Sequence, residues 1–163
     1  MVKHPYKVHA WGAFSARGPI ALVLFTENFN SDKYQEILET NLFSKLSRLD
    51  RRRFFFQQDN SPVHNSNTSR RLFEDQGIRI LDWPAYSPDL NPIENLWAII
   101  KGKVEKESNS RLVKKKKLSK DIFQRIIHQA WDGLEKDLFL RLATCMEDRV
   151  LEVINREGEK LDN

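Results

Sequence analysis

The sequence predicts a single mixed α/β domain over residues 1–163, and three observations predict it. Strand-like segments come first, strand and helix alternate through the middle, and the last third carries apolar residues at helical spacing. A chain of 163 residues with 40% hydrophobic content is long enough to close one core and short for two. No repeat at a solenoid period interrupts that order.

Taken in order, Lys7 to Trp11 alternates Val8 and Ala10 with polar neighbours, as a half-buried strand does. Ile20 to Phe25 is continuously apolar, the pattern of a strand covered on both faces, and Arg17, Gly18 and Pro19 supply the turn between the two. From Ser31 the period changes. Ile37, Leu38, Leu42, Leu46 and Leu49 predict a helix of about four turns, with Ser31 or Asp32 as its cap. Phe54, Phe55 and Phe56 form a short buried strand, and the polar run that follows places Asp59 at its carboxyl end.

A short helix capped by Asn65 or Ser66 and stopped by Gly77 comes next, then a strand through Ile78, Ile80 and Leu81 that ends before Trp83 and Pro84. Pro92 to about Glu107 reads as helix, and Lys101 to Lys120 is a charged, glycine-poor stretch. From Leu118 to Ile154 apolar residues recur every four positions. So steady a step drifts around one straight helix, so residues 118–156 are expected to form a helical C-terminal part of two or three helices.

No apolar run approaches the roughly 18 to 20 residues that cross a bilayer, and the start MVKHPYKVH has no apolar signal core, so neither membrane insertion nor secretion is expected. The single cysteine, Cys145, excludes an internal disulfide, and no Cys/His cluster has zinc spacing, which suits a reducing compartment. A net charge of +4 and a pI near 9.2 favour a polyanionic partner.

Two carboxylates carry the chemical reading: Asp59 beyond a buried strand, and Glu94 in the first turn of a helix opened by Asn91 and Pro92. Residues 60 to 93, an interval of 34, separate them. Two ionised carboxylates about 4 Å apart repel by roughly 4 kcal/mol at an effective dielectric near 20, so such a pair needs a proton or a cation. Magnesium suits oxygen-only ligands. Each residue also has a structural role open to it: Asp59 begins an Asp-Asn-Ser-Pro turn, and Glu94 stands where a capping box reaches back to Asn91.

The segments QQDNSPVH and WPAYSPDLNPIENLW around those carboxylates closely resemble the two signature blocks of Tc1/mariner-type, and specifically Tc1-like, DDE transposases. The 34-residue interval matches the family's spacing. HAWGAFSARGPI resembles its early strand-and-turn segment, and RVLEVINREG its helical end. The resemblance implies an RNase H-like fold, a mixed sheet flanked by helices, with Asp59 and Glu94 as second and third members of a metal-binding triad. It further implies Mg2+, with Mn2+ as substitute, metal-dependent cleavage and joining of DNA, a nuclear location and no small-molecule substrate. It also admits a homodimer. In this reading Asp59 and Glu94 are ligands, not nucleophiles.

The chain departs from the family's pattern at its beginning. The triad's first aspartate is expected on a strand upstream of Val8, and none of the seven residues before Val8 is acidic. Asp32 and Asp50 come too late in the order to replace it. The sequence therefore predicts a domain without its first strand, with a weakened metal site and without the helix-turn-helix region that the family uses for transposon ends. A catalytically inactive remnant that binds DNA or protein is the second reading, and a nuclease of another RNase H-like branch the third.

Four further features weigh less. His64, five residues past Asp59, and Asn60 beside it are candidates for supporting a ligand or touching phosphate, although a loop histidine bonded to nearby backbone is an equal reading. Lys101, Lys103 and Lys114, Lys115, Lys116 and Lys117 are candidates for salt-sensitive contact with DNA phosphates, against a solvated charged insert. Trp11, Trp83, Trp97 and Trp131 read as core or as braces for the Glu94 loop before they read as base-stacking platforms.

Overall fold

A computed structural model of the chain describes residues 7–47, 51, 53–84, 87–113, 118–159 and 161. Strand β1 (His9–Ser15) pairs antiparallel with β2 (Gly18–Phe25), and a register shift between Ala13 and Phe14 bulges the ladder. The first strand thus begins two residues later than its alternation suggests and runs four further. Gly18 takes φ +126°, a conformation closed to most side chains, and this lets the hairpin turn just ahead of Pro19.

The continuously apolar reading of β2 holds because the hairpin stands between two cores. Trp11, Ala13, Ala21 and Phe25 belong to a cluster with Tyr34, Leu38, Leu42, Phe43 and Phe73. Phe14, Leu22 and Leu24 pack against a second cluster of Leu96, Ile100, Phe123, Trp131 and Phe139. Alternate residues point to opposite faces of a strand, so each face feeds one core.

Helix α1 (Ser31–Ile37) is capped by Asn30 rather than by Ser31 or Asp32: Asn30 is extended and its side chain accepts from the Lys33 N–H at 2.9 Å. Asp32 is exposed at the helix opening. The helical path continues as a π turn over Leu38–Leu42 and a 3-10 turn over Phe43–Lys45. Leu42 and Phe43, at the junction of the two turns, are both buried in the core. Leu49 and Asp50 lie outside the described residues.

Strand β3 is only Phe55–Phe56 and pairs in parallel with β4 (Arg79–Ile80). The expectation that Phe54 to Phe56 is a buried run is corrected: Phe54 and Phe55 are exposed, and only Phe56 packs against the first core. The Arg79 guanidinium stacks over the Phe55 ring at 4.1 Å, which shelters one face of it. Among the described residues the antiparallel and parallel pairs form two two-stranded sheets, rather than the one mixed sheet expected.

Helix α2 (Asn67–Asp75) lies between β3 and β4, capped by Ser66 and ended by Gly77 at φ +65°. A 3-10 turn (Pro88–Leu90) then leads into α3 (Pro92–Val113), which runs six residues past its expected end. No proline follows within it, and Arg111 pairs with Glu107 at 2.9 Å in the added turn. The C-terminal part is two helices, α4 (Lys120–Asp132) and α5 (Lys136–Asn155), broken at Gly133. Among the described residues no helix is long and apolar enough to cross a membrane.

Candidate active site

After β3 burial alternates along the chain, with Gln57 half-buried, Gln58 buried and Asp59 exposed. Gln58 points inward and is buried, accepting the Tyr34 hydroxyl at 2.5 Å and donating to the His64 carbonyl at 3.3 Å. Asp59 points out. Its Oδ1 accepts the Ser61 N–H at 3.0 Å, the turn its sequence foretells, and meets His64 Nδ1 at 2.5 Å. His64 is wedged against Tyr34, ring centroids 4.5 Å apart, and meets Phe29 edge-on at 5.8 Å. That packing fixes the imidazole where its nitrogen reaches the carboxylate.

Glu94 arrives by a different route. Asn91 ends the 3-10 turn, its side chain accepts from Ile93 N–H at 3.4 Å, and its carbonyl accepts the Glu94 N–H at 3.0 Å. The capping box is not formed among the described residues, because the Asn91 N–H is already used by the Pro88 carbonyl at 2.9 Å. The Glu94 carboxylate is therefore left exposed to the site. Gln57 donates to Asn91 Oδ1 at 3.4 Å, tying the strand end that carries Asp59 to the helix start that carries Glu94.

Both carboxylates border a cavity of about 460 Å³ walled by Asn60, Trp83, Pro88 and Asn91. Both also border a second of about 450 Å³ that follows β1 along its length, with Phe54 and Phe55 opposite. Burial works against the charge of Asp59, but the hydrogen bond from Ser61 and the charge and hydrogen bond of His64 outweigh it and hold the carboxyl below the ordinary range. Glu94 moves the other way: partial burial and then the charge of Asp59 push it up. Burial, with the Asp59 charge adding to it, also raises Tyr34, whose phenol stays protonated and able to donate to Gln58.

Asp59 and Glu94 are the oxygen donors that could hold a divalent cation. Among the described residues no group of three or more His, Cys, Asp or Glu does so. The donor set still fits Mg2+, which is commonly held by one or two carboxylates and otherwise by water and phosphate oxygens. Burial first, and then the charge of Asp59, push Glu94 up, and a cation held by both carboxylates would offset that repulsion.

Of the remaining candidates, Asn60 donates to the Trp83 carbonyl at 2.6 Å and accepts from Asn65 at 2.9 Å, bracing the loop opposite Asp59. Lys101 is exposed on α3, whereas the Lys103 ammonium donates to the Gly133 carbonyl at 2.9 Å and closes the end of α4. Lys114 to Lys117 lie outside the described residues. Trp11 and Trp131 are core, and Trp97 is half-buried and packs on Trp131 with centroids 6.0 Å apart. The sequence reading missed Tyr34 and Gln58. Alternation through Gln57, Gln58 and Asp59 was the available signal for Gln58; Tyr34 gave none beyond its helical spacing.

The DDE superfamily endonuclease family model matches residues 3–119. The chain belongs to that family. Within it the chain falls in the Tc1/mariner group of transposase domains: it is 36% identical over 155 residues to the Tc3 transposase of Caenorhabditis elegans, covering 95% of this chain and 45% of that protein. To the Tc1 transposase of the same organism it is 31% identical over 151 residues, covering 93% and 52%. The chain thus spans about half the length of these relatives. The catalytic domain of Mos1 mariner transposase superposes with a TM-score of 0.71 at 20% identity, over 95% of this chain and 75% of that one. In a Mos1 strand transfer complex the TM-score is 0.71 at 22% identity, over 95% and 43%. The fold of this DDE domain is RNase H-like, as the resemblance implied.

Proposed function

We propose that this DDE domain supports metal-dependent cleavage and joining of DNA strands, with Asp59 and Glu94 as ligands of a divalent cation, Mg2+ or Mn2+. The observation that carries the reading is the convergence of the two carboxylates on one cavity, with Glu94 raised by partial burial and by the charge of Asp59. Structures of the Mos1 transposase catalytic domain and Raltegravir are with Mg or with Mn, and a Mos1 paired-end complex is with a left transposon end, which supports the same cation and polymer here.

When bound, the ion supplies polarisation of phosphoryl oxygens and an activated attacking hydroxyl. The chain's own residues do the rest. Ser61 N–H and His64 hold Asp59 ionised and oriented, so one ligand is ready before any cation arrives. Glu94, the less acidic partner because of partial burial and the charge of Asp59, would be the second ligand. Asn60 and Trp83 fix the opposite wall of the cavity. Lys101 lies seven residues beyond Glu94, two turns along the same face of α3, where it would meet a phosphate about 10 Å from the carboxylate. A net charge of +4 favours that polymer, and a nuclear location fits a domain that acts on DNA.

The test is nicking of supercoiled plasmid by the purified chain in Mg2+ and then Mn2+, with Asp59→Ala and Glu94→Ala as controls. Cleavage lost in both variants supports the reading. A folded chain that cleaves nothing, yet binds DNA equally well as Asp59→Ala, replaces it with a DNA-binding role.

A further inference from the structure

The turn that delivers Glu94 is held from the far end of the chain. Asp89, in the 3-10 turn Pro88–Leu90, is only 5% exposed. Its Oδ2 accepts the N–H of Leu161, 72 residues away, at 2.9 Å, and its main-chain carbonyl accepts from the Arg149 guanidinium at 3.0 Å. Its Oδ1 is buried with no hydrogen-bond partner among the described residues. A buried carboxylate is costly unless it is used. Helix α3 does not use it, since Asn91 caps that helix.

The tail is shaped to reach it. Helix α5 ends with the Glu157 N–H on Ile154 and the Gly158 N–H on the Val153 carbonyl at 2.9 Å. Glu157 at φ 56° and Gly158 at φ 91° are consecutive left-handed residues, and Glu157 is the sole non-glycine one among the described residues. Two such residues in succession reverse the chain and bring Leu161 back over Asp89.

From Asp89 the path to the site is short. The Pro88 carbonyl holds Asn91 N–H at 2.9 Å, and the Asn91 carbonyl holds Glu94 N–H at 3.0 Å. Asn91 also takes Gln57 from the strand end that carries Asp59. We propose that Asp89 is a positioning residue for Glu94, and that the Leu161 N–H, beyond the left-handed pair Glu157 and Gly158, is a strap acting through it. The role rests on the reading of Glu94 as a ligand, but the strap itself does not need a metal to be detected.

The experiment is amide hydrogen exchange on the whole chain, followed by titration with Mn2+ read by paramagnetic broadening. Leu161→Pro removes the donor N–H at a position outside both cores. It is expected to speed exchange at Asn91 and Glu94 by about tenfold while amides of α1 and α4 stay unchanged, and to weaken Mn2+ binding severalfold. Asp89→Asn keeps an acceptor oxygen and is expected to match the parent chain, whereas Asp89→Ala is expected to match Leu161→Pro. Exchange at Asn91 and Glu94 within twofold of the parent in Leu161→Pro overturns the strap. If exchange rises but the parent chain itself binds no Mn2+, the strap stands and the metal reading of the site fails.

Discussion

His64 Nδ1 lies 2.5 Å from Asp59 Oδ1, and the imidazole is wedged between Tyr34 and Phe29. A carboxylate only accepts, so the ring nitrogen is the donor whenever Asp59 is ionised. The histidine thereby sets both the direction and the charge of the aspartate.

His64→Ala is expected to raise the titration midpoint of Asp59 toward the ordinary aspartate value of about 3.9, read from the carboxyl carbon by NMR. The sign for stability follows. A lowered folded-state value stabilises the fold above the ordinary carboxylate range, and that contribution is lost as pH falls through the lowered value. The variant should therefore lose less stability than the parent on acidification below about pH 4. Equal acid titration of Asp59 in the two chains would contradict the role given to His64.

Glu94 has the opposite sign. Its raised value favours the protonated form in the fold, so stability present at low pH is lost as pH rises through that value. Glu94→Gln removes the penalty and should raise Tm at pH 7 by on the order of 1 °C, a small figure because the side chain is exposed and screened. Mg2+ should raise Tm of the parent and leave Glu94→Gln nearly unmoved; an equal response in both would argue against this cation site.

Gly12 is closed to larger residues by packing rather than by backbone angle. A Cβ there would lie 2.8 Å from Trp97 Cη2, and the Trp97 ring is backed by Trp131. Gly12→Ala should cost about 1–3 kcal/mol in urea unfolding. Trp97 is three residues past Glu94, so its fluorescence should shift as well; an unaltered spectrum and midpoint would show that the ring yields freely.

The two lysines of α3 should separate cleanly. Lys101→Ala is expected to weaken DNA binding and lower the salt slope by about 1, as loss of one phosphate contact does. Lys103→Ala should leave DNA affinity alone and cost about 0.5–1 kcal/mol, because its ammonium is committed to the Gly133 carbonyl. The reverse pattern in a salt titration would reassign the interface.

The positions of Asp59 and Glu94 were legible because each follows an unambiguous local signal: an apolar run that stops in polar residues, and an Asn-Pro helix start. Gly77 as a stop was legible for the same reason, whereas the four-residue step through residues 118–156 left two or three helices open, and two are present. What escaped depends on partners far apart in sequence. Tyr34 meets Gln58 across 24 residues, and Leu161 meets Asp89 across 72. Phe54 and Phe55 misled because aromatic residues in a run look buried until a cavity on one side is known. The cap of α1 shifted to Asn30 because its extended backbone, and not residue type alone, decides among Asn30, Ser31 and Asp32.

The hairpin that serves both cores has a consequence for how the molecule comes apart. Trp11 and Phe25 stand on one side of it and Phe14 and Leu22 on the other, so the same two strands form a party wall. Melting either cluster strips one face of that wall and loosens the ladder on which the second depends. Truncations at Phe73 and at Phe139, one in each cluster, should therefore shift a single shared unfolding midpoint, with no half-melted species between. Damage inside either cluster therefore reaches the carboxylates as loss of the whole structure, unlike loss of the Leu161 contact outside both cores.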